Sequence, residues 1–460
     1  MPKPGPIVLT SRTLGSTTGV SRAALDVALA LYQRASVLRI RAWVPTELPA
    51  EVDGCVLQGC EWVPVSPLTA ARAVASGEAP PRALLEHGKP NLHWLEHTLL
   101  PPPAAKLEVV NGLGAHALYA ATHQTNPKTA AGEPGAGAAR ERGADAARES
   151  RSSAAGEGGA GAAGAGRRAR QWRFFVGAWR AARRAAVVPA EGVPSVIVVH
   201  ESPRHFDSPG RMDLAAATAA LRAHDYCVFV SERGRREWQA LAELDPARCR
   251  TIPNCVGEQR VKAVLVQDRA ALRERFGYGE GPRFVCAGQV TQRKGQDLVL
   301  EALRAAASGS PPLQLDFLGD TRSDFARELT RRVMAAGLAE RVRFLGHVAD
   351  AYERIYAADG FVLGSRAEAS PLVVLEAMAL GTCVIAPDVD GVAEQLIDGE
   401  SGLLFPREDV PRLAQHLQRV ASDPALRARL ATAAQARYAE HFSRNRQLER
   451  WGEALATWLA

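Results

Sequence analysis

The chain has 460 residues, 47% of them hydrophobic and 23% charged, with a formal net charge of +6, so it can bury a full core and form two or three domains. No apolar run reaches the about 18 residues that span a bilayer, and the start, MPKPGPIVLT, lacks an apolar segment followed by a small-residue cleavage site, so a soluble chain without a secretory signal is expected. Seven cysteines without a C-x-x-C pair exclude a disulfide framework and an obvious zinc site, and fit free thiols in a reducing cytoplasm.

The basic balance is local. Seven arginines (167, 168, 170, 173, 180, 183 and 184) and no acid lie between Gly158 and Ala190, and removing seven positive charges from +6 leaves −1. A general affinity for nucleic acid is therefore not expected.

In chain order, PIVLT at 6–10 reads as a short buried strand, followed by a loop with Gly15 and Gly19 and then by the helical pattern RAALDVALALYQR. Strand, glycine loop and helix open an α/β unit. The loop suits close approach to a ligand and equally suits an ordinary tight connection. It is not the G-x-G-x-x-G of dinucleotide-binding oxidoreductases. VLRIRAWV and KLEVV are the strands expected between 37 and 125, and His87, His93, His97, His116 and His123 show no metal-ligand spacing. Residues 131–166 contain no aromatic residue and no aliphatic one larger than alanine, so they are expected to form a disordered insertion. The following segment, 167–186, places Trp172, Phe175, Val176 and Trp179 at helical spacing among arginines. Such a basic amphipathic helix fits an anionic membrane surface, and also a helix packed on its own domain.

VPSVIVVHES then gives a β-branched strand ending in His200, Glu201 and Ser202, where polar groups of a parallel sheet face a ligand crevice or cap the sheet end. A helix near 211–223, strand VFV, a Ser231 N-cap with its helix, and a short strand stopping at Pro253 and Asn254 complete this half. The second half opens with ALRERFG and PRFVCAGQV; the basic loop that follows, with Arg293 and Lys294, precedes a helix starting near Gly295 and is a plausible phosphate cradle. LQLDFLGD, VRFLGHV and GFVLGS are further strands, VIAPDVDGVAEQ a strand and glycine turn, and 411–440 a helical tail with a last helical segment after it. Asp388 and Asp390 read as a turn, because further metal ligands cannot be placed around them.

The stretch Arg366–Pro387 carries Glu368 and Glu376 eight positions apart. Ser370 is the expected N-cap, Pro371 the first helical residue and Gly381 the left-handed C-cap of a helix of about ten residues. Its N–H groups and dipole suit an anion, with Glu368 at the mouth and Glu376 about two turns along.

Together VFVS, IPN, the KGQDLVLEAL segment, VRFLGHV, the E-x7-E stretch and GVAEQLIDGESGLLF resemble the retaining GT-B glycosyltransferases of family 4, the group that includes bacterial glycogen synthase, sucrose synthase and phosphatidylinositol mannosyltransferases. The match covers about residues 225–442. The resemblance implies an α/β fold of two Rossmann-like domains facing a cleft: an acceptor-side domain, 1–255, a nucleotide-sugar domain, 256–440, and a helix over 441–460 crossing back to the first. It implies catalytic roles for Glu368, on hydroxyls of the transferred sugar, for Lys294, on the leaving diphosphate, and for His200 beside the reacting sugar. Donor binding falls to Glu376 on the ribose, to Arg293, to the backbone of Ala369, Ser370, Pro371 and Leu372, to Phe344, Gly346 and His347 at the base, and to Gly15 and Gly19. It further implies transfer to a hydroxyl of a glycan or glycolipid with retention, in cell-envelope polysaccharide or glycolipid synthesis, with no metal and no cofactor beyond the donor. The free thiols fit a cytoplasmic place, peripheral on the inner face of the cell membrane if the basic helix 167–186 docks there rather than on its own domain.

Two positions depart from the pattern: Gln289 stands where an arginine is usual, and Cys255 where a glycine is, so that a left-handed turn there would be strained. They motivate the alternative of a GT-B shell that binds or scaffolds without catalysing.

Overall fold

The computed structural model describes residues 194–458, apart from 207–213, 280 and 307–311, together with six short strands of the first 111 residues. The glycine loop with Gly15 and Gly19, the five scattered histidines, the insertion 131–166 and the basic segment 167–186 lie outside the described residues.

Two parallel sheets organise the molecule. The first is built from β1 (Ile7–Thr13), β2 (Leu38–Trp43), β5 (Glu61–Val65), β6 (Leu107–Asn111), β7 (Ser195–Val199), β8 (Tyr226–Phe229) and β9 (Cys249–Thr251) in the order β5-β2-β1-β6-β7-β8-β9. A two-stranded antiparallel ribbon, β3 (Glu51–Val52) with β4 (Cys55–Val56), stands apart. The second sheet joins β10 (Arg283–Ala287), β11 (Gln314–Leu318), β12 (Val342–Gly346), β13 (Gly360–Val362), β14 (Val384–Asp388) and β15 (Leu403–Pro406) in the order β12-β11-β10-β13-β14-β15. Both orders run outward from the first strand in one direction and then jump back to its other side. That reversal is the doubly wound pattern, whose ligand crevice opens at the carboxyl ends of the strands flanking the jump.

Strands buried on both faces need continuous apolar side chains. SVIVV of β7 and RFVCA of β10 are buried at every position. The buried Arg283 in β10 is tolerated because its guanidinium reaches Asp316 at 2.9 Å, and Arg343 closes on the same carboxylate at 2.6 Å. One core cluster lies under β7 and β8 around Trp238 and Phe229, and two cover the faces of the second sheet. Val256, Val261 and Val264 already pack in one of the latter.

The helices follow the sequence closely, with three differences. The expected N-cap at Ser231 holds, its Oγ accepting from Gly234 N at 3.2 Å at the head of α2 (Glu232–Leu241), after α1 (Leu214–Arg222). A helix not foreseen, α3 (Glu258–Leu265), precedes α4 (Arg269–Arg275). α5 (Gln296–Ala305), α6 (Asp324–Ala335), α7 (Ala351–Ala357), α8 (Leu372–Ala379) and the one-turn α9 (Val392–Gln395) alternate with the second sheet. The helical tail is not continuous: it divides into α10 (Val410–Ser422) and α11 (Pro424–His441), because Pro424 cannot continue a helix and Asp423 instead accepts from Leu426 N at 2.9 Å. A last helix, α12 (Arg444–Trp458), returns to the first sheet, where Trp458 stacks on Tyr226 at 4.8 Å. The third difference, in α8, bears on the site.

Candidate functional site

The crevice predicted by the strand order is where Arg293, Lys294 and Glu368 meet. β10 ends in the loop holding Arg293 and Lys294, and β13 ends in the loop holding Ser365 and Glu368, so these segments flank the jump of the second sheet. Gly295 brings the loops together. It has a φ of +62°, and a Cβ there would stand 1.9 Å from the carbonyl oxygen of Gly364, so neither the conformation nor the space admits a side chain.

Glu368 is 6% exposed. Its Oε1 accepts from Lys294 Nζ, from Ser365 Oγ at 2.9 Å, and pairs with Arg293 at 3.2 Å. Arg293 also donates to Ala367 O at 2.8 Å. A carboxylate this buried requires such partners, and the cluster leaves cationic groups at the mouth of the crevice, where an anionic ligand would compete for them.

α8 begins one residue later than expected. Pro371, not Ser370, stands at the cap position, and no side chain caps the helix. Ser370 Oγ accepts from Gln395 Nε2 at 3.1 Å instead, and the carbonyls of Ser370 and Pro371 accept from Asn254 and Gln395 at 3.1 and 3.3 Å. With the carbonyls engaged and no cap, the first-turn N–H groups are what this end of the helix offers. Gly381 takes the expected left-handed conformation, φ +65°. The helix has eight residues rather than about ten, and Glu376 is its fifth, about one and a half turns in rather than two. Glu376 is buried, and Tyr352 donates to its Oε1 at 3.2 Å. The Arg260 guanidinium lies 4.4 Å from the centre of the Tyr352 ring.

Phe344 is half-buried and stacks on Phe317 at 5.0 Å, while His347 is exposed. Between them Gly346, at φ +68°, accepts through its carbonyl from Gly319 N at 2.8 Å. The backbone here therefore turns at the carboxyl end of β12, on the same edge as Glu376.

In the first sheet, His200 directly follows β7. Burial pushes its imidazole down to about 4, so the ring is neutral near pH 7 and offers one N–H donor. Trp238 Nε1 fixes the next turn by donating to Glu201 O at 2.7 Å.

Asp390 was read from sequence as part of a turn, and that is where it lies, at φ +39°. Sequence reasoning missed that its carboxylate joins the site: Oδ2 accepts from Glu368 N at 2.8 Å and from Ser202 Oγ at 3.0 Å. Cys255 escapes the expected strain. Among the described residues the non-glycine positions with positive φ are Glu243, Asp390 and Glu408, and Cys255 is a buried thiol donating to Gln447 Oε1 at 3.3 Å. Gln289 is exposed, its carbonyl accepting from Gln296 Nε2 at 3.1 Å.

Solved structures share this two-sheet arrangement over nearly the whole chain. The crystal structure of Anabaena Alr3699/HepE in complex with UDP-glucose aligns with a TM-score of 0.63 and 17% identity, covering 98% of this chain and 99% of that one. Sucrose-phosphate synthase from Thermosynechococcus elongatus aligns with a TM-score of 0.62 and 19% identity over 99% of each chain. The class is therefore the two-domain α/β GT-B fold.

Residues 268–437 match the family model "Glycosyl transferases group 1". An alpha-D-kanosaminyltransferase from Streptomyces kanamyceticus is 28% identical over 250 residues, 52% of this chain and 64% of that protein. A GDP-mannose-dependent alpha-(1-6)-phosphatidylinositol monomannoside mannosyltransferase from Mycolicibacterium smegmatis is 31% identical over 242 residues, 50% of this chain and 62% of that protein. The matched part of the chain thus spans less than two thirds of these relatives.

Proposed function

We propose that the chain transfers a sugar from a nucleoside diphosphate sugar to a hydroxyl of a glycan or glycolipid, with retention of configuration and without a metal. One observation carries this reading: Lys294, Arg293 and the uncapped start of α8 converge beside Glu368, with Glu376 on the same helix. In the reaction the bond from the anomeric carbon to the diphosphate breaks, a bond from that carbon to the acceptor oxygen forms, and the acceptor's hydroxyl proton leaves with the diphosphate. Negative charge grows on the leaving diphosphate, and Lys294, Arg293 and the helix N-terminus are placed to offset it, the work a divalent cation does in other sites. Glu368 accepts from hydroxyls of the transferred sugar once the cations turn to phosphate, and Glu376 can accept from two vicinal ribose hydroxyls. His200, kept neutral, donates from the acceptor side.

The printed names of the relatives support this class of donor and acceptor: one is GDP-mannose-dependent and acts on a phosphatidylinositol mannoside, and another structure was solved with UDP-glucose. Assembly of an envelope polysaccharide or glycolipid at the cytoplasmic face is the corresponding role. No helix among the described residues is long and apolar enough to cross a membrane, and the five described cysteines are buried and free.

A thermal-shift screen against UDP-, GDP- and ADP-sugars identifies the donor, which stabilises the fold by mass action. With that donor, Lys294→Ala is expected to lower kcat about 100-fold, and Glu376→Ala to weaken donor binding at least about tenfold. Unchanged turnover in both variants would refute the site. Proton NMR of the product tests retention, and undiminished activity in a chelator tests metal independence.

A further inference from the structure

We infer that Asp390 is a positioning residue that couples the approach of the two halves to the setting of Glu368, an inference that rests on the proposed transfer reaction.

Three observations carry it. First, Asp390 belongs to the C-terminal half but bonds to both: its Oδ2 holds Glu368 N at 2.8 Å and Ser202 Oγ at 3.0 Å, and its Oδ1 lies 3.2 Å from Arg204 Nε. Ser202 and Arg204 follow β7, two and four positions beyond His200. One carboxylate therefore bridges the acceptor-side wall and the backbone of the residue facing the sugar. Second, the site is costly to keep. The side chain is fully buried, and burial pushes its carboxyl up despite two hydrogen-bond donors and the nearby Arg204 charge. Its φ of +39° belongs to the left-handed region, which glycine adopts at no cost and aspartate only at a small one. Glycine would serve the turn with neither cost, so what the aspartate adds is the bridge. Third, the same segment fastens the halves a second time. Glu394 accepts from Glu232 N at 2.7 Å and Arg233 N at 2.6 Å, closing the N-terminus of α2, and Asp388 lies 3.9 Å from Arg233. The Asp390 bridge can form only while these surfaces meet. When they part, Asp390 loses Ser202 and Arg204 and keeps only Glu368 N, so the carboxylate that holds the loop from Ser365 to Ala369 is itself no longer fixed.

Asp390→Gly removes the carboxylate at a backbone angle glycine accepts, so the fold is retained. The expected result, with the donor found by the thermal-shift screen, is a kcat lowered 10- to 100-fold with the donor Kd within about twofold of the parent. Ser202→Ala is expected to lower kcat less, and the double variant no further than Asp390→Gly, since both break one bridge. Asp390→Asn, which keeps one acceptor oxygen, recovers part of the rate. A kcat for Asp390→Gly within twofold of the parent, or a loss fully accounted for by weaker donor binding, overturns the inference. Glu368→Ala is the control: if it too leaves turnover unchanged, the proposed reaction site fails instead.

Discussion

Glu368 shares one carboxylate oxygen among Lys294, Arg293 and Ser365. Two cations on one buried oxygen are a store of positive charge held in place, which would spare reorganisation on binding the diphosphate of the proposed donor. The opposite wall depends on a neutral group. Because burial depresses His200 from 6.5 to about 4, the unfolded chain binds this proton more readily than the folded one between those values. Stability from this residue is full above about pH 6.5 and is lost as pH falls towards 4. Because the residue is only partly buried, less than the full shift counts, and about 1–2 kcal/mol is at stake. His200→Asn is expected to flatten this part of the stability–pH curve in urea titrations; an unchanged slope would show the ring is not desolvated. Glu368, Lys294 and Glu376 were legible in sequence because they sit in a run of recognisable neighbours. Asp390 and Ser202 were not, because their contact spans 188 positions and neither residue type marks a site alone.

Local geometry was readable where a single residue type enforces it. Ser231 and Gly381 took the cap positions expected of them, and Pro424 broke a helix that apolar periodicity alone would extend. Ser370 failed as a cap because Gln395, from a distant turn, claims its hydroxyl. The 3-10 turn of Gln292–Lys294 into α5 is tightly constrained. Gly295→Ala would meet the Gly364 carbonyl at 1.9 Å while holding a left-handed backbone, so a loss of about 2–4 kcal/mol is expected. Because the displaced loop carries Glu368, donor binding should fall with stability. Denaturant unfolding and calorimetry on the same variant check both, and a variant as stable as the parent would mean the loops are not packed against each other.

Across the molecule, α12 closes the chain on itself. Trp458 stacks on Tyr226 of β8, Trp451 meets it edge-on at 6.4 Å, and Gln447 donates to Pro253 O at 3.1 Å between the halves. Trp458→Ala is expected to cost about 3–4 kcal/mol of this attachment and to raise hydrogen exchange in α12 and β8 selectively. Exchange unchanged in both would place the anchorage elsewhere. The sequence by itself determined the alternation of strands and helices, the parallel sheets and the basic loop that precedes α5, because periodicity, glycine and proline act over a few positions. The tertiary structure alone decided that Glu368 is set by Asp390, that Tyr352 reaches Glu376, and that Cys255 needs no left-handed turn. Those outcomes depend on which strand ends the sheet order brings together, and no local pattern encodes a contact between residues that meet only after both halves have folded.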